Sequence, residues 1–426
     1  MKILIKNIKQ LVQVEEKPCL PDRQAQLKVA GKDMKNLSCI NDAWLAIEND
    51  KIAGFGKMDD WEGISDWTNL TIIDASDKIV MPSYCDSHTH IVYAGSREGE
   101  FVDRINGLTY EQIFERGGGI LNSAKKLADA SEDELVESAL KRLNEIMLQG
   151  TGAVEIKSGY GLSTQSELKM LRVIKKLKTL SPLTIKATFL GAHAIPKEYQ
   201  ESRRKYIDLL INEMMPKIAA EQLADYCDVF CEHNYFTKEE TIEILSAGKK
   251  HGMTPKVHAE QLSNSGGVLA GVEVEAISVD HLEFVGEAEI KAMQNSKTIP
   301  TILPGAAFFL SLPFPPARKM IDAGLPVAVA SDYNPGSSPS GNMNLMMSIC
   351  CIQYKMTPEE AINATTINSA YAMDLSKTHG SIAIGKQANV FITKEIPGYS
   401  FIPYSFGSNL VETVIVGGKV IEKSRQ

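Results

Sequence analysis

IVMPSYCDSHTH, residues 79–90, is an apolar run that ends in two histidines one residue apart. Side chains at i and i+2 of a strand share a face, so His88 and His90 point the same way from its end. The pair alone does not distinguish metal ligands from two polar residues that close a strand. Seven similar runs follow: GAVEIKS (152–158), TIKATFLGAH (184–193), DYCDVFCE (225–232), TPKVHAE (254–260), AISVDHL (276–282), TIPTILPG (298–305) and PVAVASD (326–332). Between them lie amphipathic segments of helical period, such as EDELVESALKRLNEIML (132–148) and TQSELKMLRVIKKLKTL (164–180). Near-continuous apolar strands alternating with helices are what a parallel sheet covered on both faces requires. Eight such units predict an α/β fold, a closed (β/α)8 barrel of the TIM type, over an open doubly wound sheet.

The flanks read differently. WLAIENDKIAGFG (44–56) and LVETVIVGGKVIEK (410–423) have the alternation of hairpins, with Asn-Asp and Gly-Gly at their turns. Residues 1–78 and 377–426 are therefore expected to build one small β-sandwich-like module from both termini, around a barrel spanning 79–376. Helical segments between Pro358 and Leu375 are expected to close the barrel before the chain returns to that module.

The 426 residues are 44% hydrophobic and 23% charged, without a low-complexity tract. Lysine and arginine number 45 against 53 acidic residues, a formal charge of −8, and no long basic run occurs. Neither nucleic acid nor a membrane surface is an expected partner. MKILIKNIKQ at the start alternates like a strand and lacks the apolar core of a signal peptide, and no apolar run approaches bilayer length. The seven cysteines (19, 39, 85, 227, 231, 350 and 351) lack CxxC spacing and are expected to be reduced and mostly buried, in a cytoplasmic protein.

The strand map changes the meaning of the histidines. Of eight in the chain, five close predicted barrel strands: His88, His90, His193, His258 and His281; Asp332 closes the eighth strand. Active sites of such barrels form at the C-terminal face, where these residues converge. His88, His90, His258 and Asp332 supply four N/O ligands for a metal ion, with room for water. Such an ion lowers the pKa of bound water from about 16 towards about 7. His281 and Asp332 are then candidates to orient the resulting hydroxide and pass its proton to a leaving nitrogen.

SHTH (87–90), HAEQLS (258–263), SVDHLE (278–283) and ASDYNPGS (330–337) resemble the amidohydrolase superfamily and, within it, the imidazolonepropionase family of histidine degradation. The narrower likeness rests on AGSREGEF (94–101), TYEQI (109–113), GGGI (117–120), EIKSGYGL (155–162), LGAHAIP (190–196) and LPGAAFFL (303–310). MTPEEAINATTINSA (356–370) and GSIAIGKQANV (380–390) extend it towards the C-terminus. The resemblance implies one zinc(II) or iron(III) ion per subunit on His88, His90, His258 and Asp332. It implies hydrolysis of 4-imidazolone-5-propanoate to N-formimino-L-glutamate by attack of metal-bound hydroxide. It further implies a small carboxylate-bearing substrate held by Arg97, Tyr110, Tyr160, His193, Gln261, Asn334, Gly336 and Ser337, in a homodimer. A planar guanidinium such as that of Arg97 suits a carboxylate by bidentate hydrogen bonding. The alternative reading is another cyclic amidohydrolase, or a nucleobase deaminase, of the same superfamily.

One position departs from part of that family. Some members carry a glutamate, a candidate general base, where this chain has Gln261, and glutamine cannot take a proton at ordinary pH. Gln261 is therefore assigned hydrogen bonding to the ring, and the base is His281 or Asp332. Glu260 is expected to face away from the site. Lys157 is read as an early strand residue, not as a carbamylated bridge between two metals, and His233, His251 and His379 as ordinary histidines.

Overall fold

The computed structural model describes residues 1–15, 27–63, 68–108, 112, 116 and 118–422. The chain opens with β1 (Lys2–Val12), β2 (Cys39–Glu48), β3 (Lys51–Lys57), β4 (Leu70–Asp74) and β5 (Ile79–Pro82). The barrel follows: β6 (Tyr84–Thr89), β7 (Thr151–Lys157), β8 (Thr184–Ala192), β9 (Tyr226–Cys231), β10 (Thr254–Ala259), β11 (Ser278–His281), β12 (Ile299–Ile302) and β13 (Ala328–Val329). β14 (Val390–Thr393), β15 (Val411–Val416) and β16 (Lys419–Ile421) complete the strands. Each of the eight predicted runs contains one barrel strand, and the strands pair in chain order from β6 to β13. Closure comes at the C-terminal ends of β6 and β13. The Asp332 N–H donates to the His88 carbonyl at 3.0 Å, and the His90 N–H donates to the Tyr333 carbonyl at 2.9 Å.

The run at 79–90 forms two strands. Ile79–Pro82 lies in the terminal sheet, parallel to β1 and antiparallel to β14, whereas Tyr84–Thr89 lies in the barrel. Ser83 is the step between them: its N–H donates to Asn389 at 2.9 Å, and the next N–H, of Tyr84, donates to Gly150 at 2.9 Å. Pro82 has no N–H, so a ladder ends there at no cost in unpaired donors.

The terminal sheet runs β16-β15-β14-β5-β1-β2-β3, with β4 on β1, so the two chain ends share one sheet. Both expected hairpins are present, β2–β3 and β15–β16. The sheet has its own apolar cluster, which includes Ile3, Ile5, Leu45, Ile47, Val390 and Ile415. The larger cluster lies between barrel and helices, where Val154 and Ile156 of β7 join Leu171 and Ile174 of the helix Thr164–Leu180. The barrel interior departs from the apolar expectation: Glu155, Lys157, Asp228, Lys256 and Asp280 are all buried there. Lys157 is the last residue of its strand, at the site end, and not an early one.

β13 is only two residues long and is held from outside. In the helical segment Pro358–Ala372, the Ser369 hydroxyl donates to Val329 O at 2.7 Å and the Asn368 amide donates to Val327 O at 2.9 Å. This segment packs on β6 and β13, across the closing seam. Among the described residues no helix is long and apolar enough to cross a membrane.

His379 marks the junction of the C-terminal segment with the barrel. Its Nε2 is 2.9 Å from Thr184 Oγ1 and its Nδ1 is 2.8 Å from Thr378 Oγ1. Burial, helped by the Lys51 and Lys386 charges, pushes its pKa down to about 4. The folded state thus takes up its proton less readily than the unfolded chain. The resulting stability is full above about pH 6.5 and is lost as pH falls towards about 4, a loss of order 3 kcal/mol. Urea denaturation at stepped pH is expected to show a shallower fall in stability over this window for His379→Gln than for the wild type.

Candidate active site

The ends of β6, β10 and β11 and the short stretch after β13 bring His88, His90, His258, His281 and Asp332 together, all buried. Ring centroids are 4.4 Å apart for His88–His258, 5.3 Å for His88–His90 and 5.3 Å for His258–His281. Asp332 Oδ1 lies 3.5 Å from His88 Nε2 and 3.7 Å from His90 Nε2. Two sets of donor atoms, His88/His258/His281 and His88/His90/Asp332, each fall within 4.8 Å and share His88. Nε2 of His88 and Nε2 of His258 have no hydrogen-bond partner among the described residues. Buried polar atoms are normally paired. Unpaired imidazole nitrogens beside a carboxylate are a donor set that suits a transition-metal cation.

The local electrostatics agree. Burial, reinforced by the Lys157 charge, holds His88 well below the usual histidine range, and burial with His193 nearby does the same for His90. Neutral imidazole is the form that binds metals. Burial also lowers His281. Asp332 is pushed up by burial, against the opposing pull of His281 and His258 and of a hydrogen bond from Ser337 Oγ at 2.9 Å.

Two carboxylates that the sequence reading did not single out stand behind these rings. Asp280 Oδ2 is 2.7 Å from His88 Nδ1, and Asp228 Oδ2 is 3.0 Å from His258 Nδ1. The hydrogen bond at His88 Nδ1 sets that ring's tautomer and turns its Nε2 towards the ligand, whereas His258 Nδ1 faces its carboxylate without an aligned hydrogen bond and Asp228 Oδ1 accepts the His258 backbone N–H at 3.1 Å instead. The i, i+2 rule, applied backwards along β9 from Phe230 and along β10 from His258, is the one sequence signal that puts Asp228 and Lys256 on interior faces.

Above the histidines opens a cavity of about 490 Å³. Arg97, Tyr160, His193, Gln261, Asn334 and Ser337 are among its walls, and Gly336 also borders it. His193 stacks on His90 with centroids 5.4 Å apart and is 3.0 Å from the Gly159 carbonyl through Nδ1. Burial drives its pKa to about 3, so it stands there neutral. The Tyr160 ring lies 5.7 Å from those of His90 and His193. Glu260 turns away, as expected, and accepts the Val268 N–H at 3.0 Å. Tyr110 lies outside the described residues.

Arg97 reaches the cavity while paired: Nε and Nη2 donate to one oxygen of Glu100 at 2.8 and 2.5 Å. Glu100 Oε1 is itself held by the Gly119 N–H and by Asn122. The guanidinium of Arg97 lies against Gly336, where a Cβ would overlap it. Asn334 Oδ1 accepts the N–H groups of Gly336 and Ser337 at 2.7 and 2.8 Å. Arg104, also absent from the sequence reading, donates to the Gly336 carbonyl at 3.2 Å.

The amidohydrolase family profile matches residues 79–421. An imidazolonepropionase of Christiangramia forsetii is 58% identical over 421 residues, 99% of this chain and all of the relative. One of Flavobacterium johnsoniae is 56% identical over 422 residues, again 99% of this chain and all of the relative. Among solved structures, a 5-methylcytosine deaminase of Klebsiella pneumoniae superimposes with a TM-score of 0.72 at 16% identity, over 100% of this chain and 98% of that one. A zinc-bound adenosine deaminase of Xanthomonas campestris gives 0.69 at 15% identity, over 98% and 92%. These two likenesses concern the fold.

His258→Ala removes one imidazole and leaves its neighbours in place. Metal retained after gel filtration, measured by inductively coupled plasma mass spectrometry, is expected to fall from about one ion per chain to near none.

Proposed function

This chain belongs to the amidohydrolase family, and from that premise we propose that it hydrolyses the ring amide of 4-imidazolone-5-propanoate to N-formimino-L-glutamate. The observation that carries the reading is a buried set of histidines and one carboxylate on the floor of a cavity whose wall presents an arginine. Relatives named imidazolonepropionase, at 56–58% identity over the whole chain, support the same substrate.

We assign His88, His90, His258 and Asp332 to hold one zinc(II) or iron(III) ion, in keeping with their imidazole and carboxylate donors. A metal ion there supplies Lewis acidity, which brings the pKa of a water to about 7. The remaining work falls to the protein. Arg97, fixed by Glu100, holds the propanoate, and Tyr160, His193, Asn334, Gly336 and Ser337 frame the ring. Tyr110 joins them by resemblance alone. Gln261 hydrogen-bonds the ring, since its amide neither gives nor takes a proton. Water adds to the ring carbonyl carbon, the bond from that carbon to the adjacent ring nitrogen breaks, and the nitrogen leaves with a proton. Asp332, whose Oδ2 is held by the Ser337 hydroxyl at 2.9 Å, takes the proton from water and returns it to the nitrogen. His281, neutral and buried, is the donor that steadies the oxyanion. The setting we propose is a cytoplasmic homodimer; the described cysteines are all free, which suits a reducing compartment.

An assay of ring opening, with metal quantified in the same preparation, tests the reading against hydantoin, cytosine and guanine. Faster turnover of any of these three would overturn it. Arg97→Ala is expected to raise KM about 10–100-fold, the worth of a charge-assisted carboxylate contact, with a smaller change in kcat. Gly336→Ala, which crowds the guanidinium, is expected to move KM in the same direction.

A further inference from the structure

Beneath the histidines, the end of β7 carries a fully buried ammonium group, that of Lys157. Its Nζ lies 2.6 Å from Glu155 Oε1, 2.7 Å from Asp228 Oδ2 and 3.8 Å from Asp280 Oδ2. The same two aspartate oxygens face imidazoles: Asp228 Oδ2 the Nδ1 of His258, and Asp280 Oδ2 the Nδ1 of His88. Each carboxylate therefore turns one oxygen towards both the ammonium and a ring: Asp228 accepts from the lysine, and Asp280 from His88 while lying at ion-pair distance from the lysine. Asp280 Oδ1 has no hydrogen-bond partner among the described residues, so the orientation of that carboxylate rests on Oδ2. Lys256 is occupied elsewhere, on Glu155 and on the carbonyls of Ser87 and Ala372.

Stability does not account for this arrangement. Buried ion networks are commonly matched or bettered by apolar side chains of similar volume, while breaking one by removing a single partner is costly. What the network does supply is direction. An imidazole whose Nδ1–H is fixed on a carboxylate offers Nε2 as a ligand in one orientation.

We propose that Lys157 is a positioning residue: it holds Asp228 and Asp280 beside one another, and through them sets the tautomer of His88 and the angles of His88 and His258 towards one metal ion. The inference rests on the metal site proposed above and goes beyond it, since it assigns to a lysine outside the ligand set the alignment of two ligands from different strands.

The test uses full-length wild type and Lys157→Met, with zinc affinity measured by competition against a chromophoric chelator. Lys157→Met is expected to weaken zinc binding about 10–100-fold, the usual effect of losing a group that orients a ligand. In spectra of the metal-free protein labelled with ¹⁵N-histidine, the wild type is expected to show the Nδ1–H tautomer at His88, and the variant a mixture. Tighter zinc binding would overturn the proposal, because it would mean that Lys157 acts only as a charge opposing the metal. Unchanged affinity with a lowered melting temperature would overturn it too, as the mark of a merely structural lysine. Should Lys157→Met fail to fold, Asp228→Asn and Asp280→Asn carry the test, since an amide oxygen still accepts Nδ1–H but loses its pull on the ammonium. Each is expected to weaken zinc binding about tenfold, and wild-type affinity in both would overturn the proposal. A wild type that binds no zinc or iron would instead defeat the metal site itself, which keeps the two failures apart.

Discussion

The site depends on one constraint, the backbone pairing in which the Asp332 N–H donates to the His88 carbonyl and the His90 N–H to the Tyr333 carbonyl. It is part of the seam that turns a row of parallel strands into a barrel, and it joins the first strand to the chain just beyond the last. Without it, a carboxylate and a pair of histidines 242–244 positions apart in sequence would have no reason to meet. The seam is short because β13 is two residues long. Its support is therefore external: the helical segment Pro358–Ala372 contributes hydrogen bonds from Asn368 and Ser369. A barrel that closes at its candidate active site makes the alignment of that site a matter of the fold's own integrity.

The interior below the site trades apolar packing for charge. Carboxylates and ammonium groups excluded from water are tolerated only when paired closely, and here Glu155, Lys157, Asp228, Lys256 and Asp280 each have at least one partner of opposite sign or a ring nitrogen. The reward is orientation. His88 and His258 leave different strands, yet both face carboxylates that are ion-paired with the same lysine. The outer wall follows another logic. Arg97, Asn334, Gly336 and Ser337 come from the segments after the first and last barrel strands, which the seam makes neighbours. The absence of a side chain at Gly336 leaves room for the guanidinium.

The chain alone determined a good deal. Eight apolar runs separated by helical periods are enough to read a barrel, because burial on both faces leaves strands with little polar alternation. Histidines at the ends of those runs mark the C-terminal face, where short local sequence and overall topology agree. The hairpins of the terminal module were legible from Asn49–Asp50 and Gly417–Gly418 for the same local reason, turn chemistry.

What only the tertiary structure decided is everything that depends on pairing across strands. The run at 79–90 reads as one strand in one dimension, yet it passes from one sheet to another at Ser83 because the backbone partners of Ser83 and Tyr84, Asn389 and Gly150, are far away in the chain. Asp228, Asp280 and Lys157 look like ordinary charged residues in sequence. Lys157 and Asp228 are 71 positions apart, and His88 and Asp280 are 192 apart, and they meet only once closure has set which inward positions share a level. Arg104 likewise acquires its contact with Gly336 from a helix that packs beside a loop 232 positions later. Local periodicity specifies which residues turn inward; the stagger of the closed barrel specifies which of them touch.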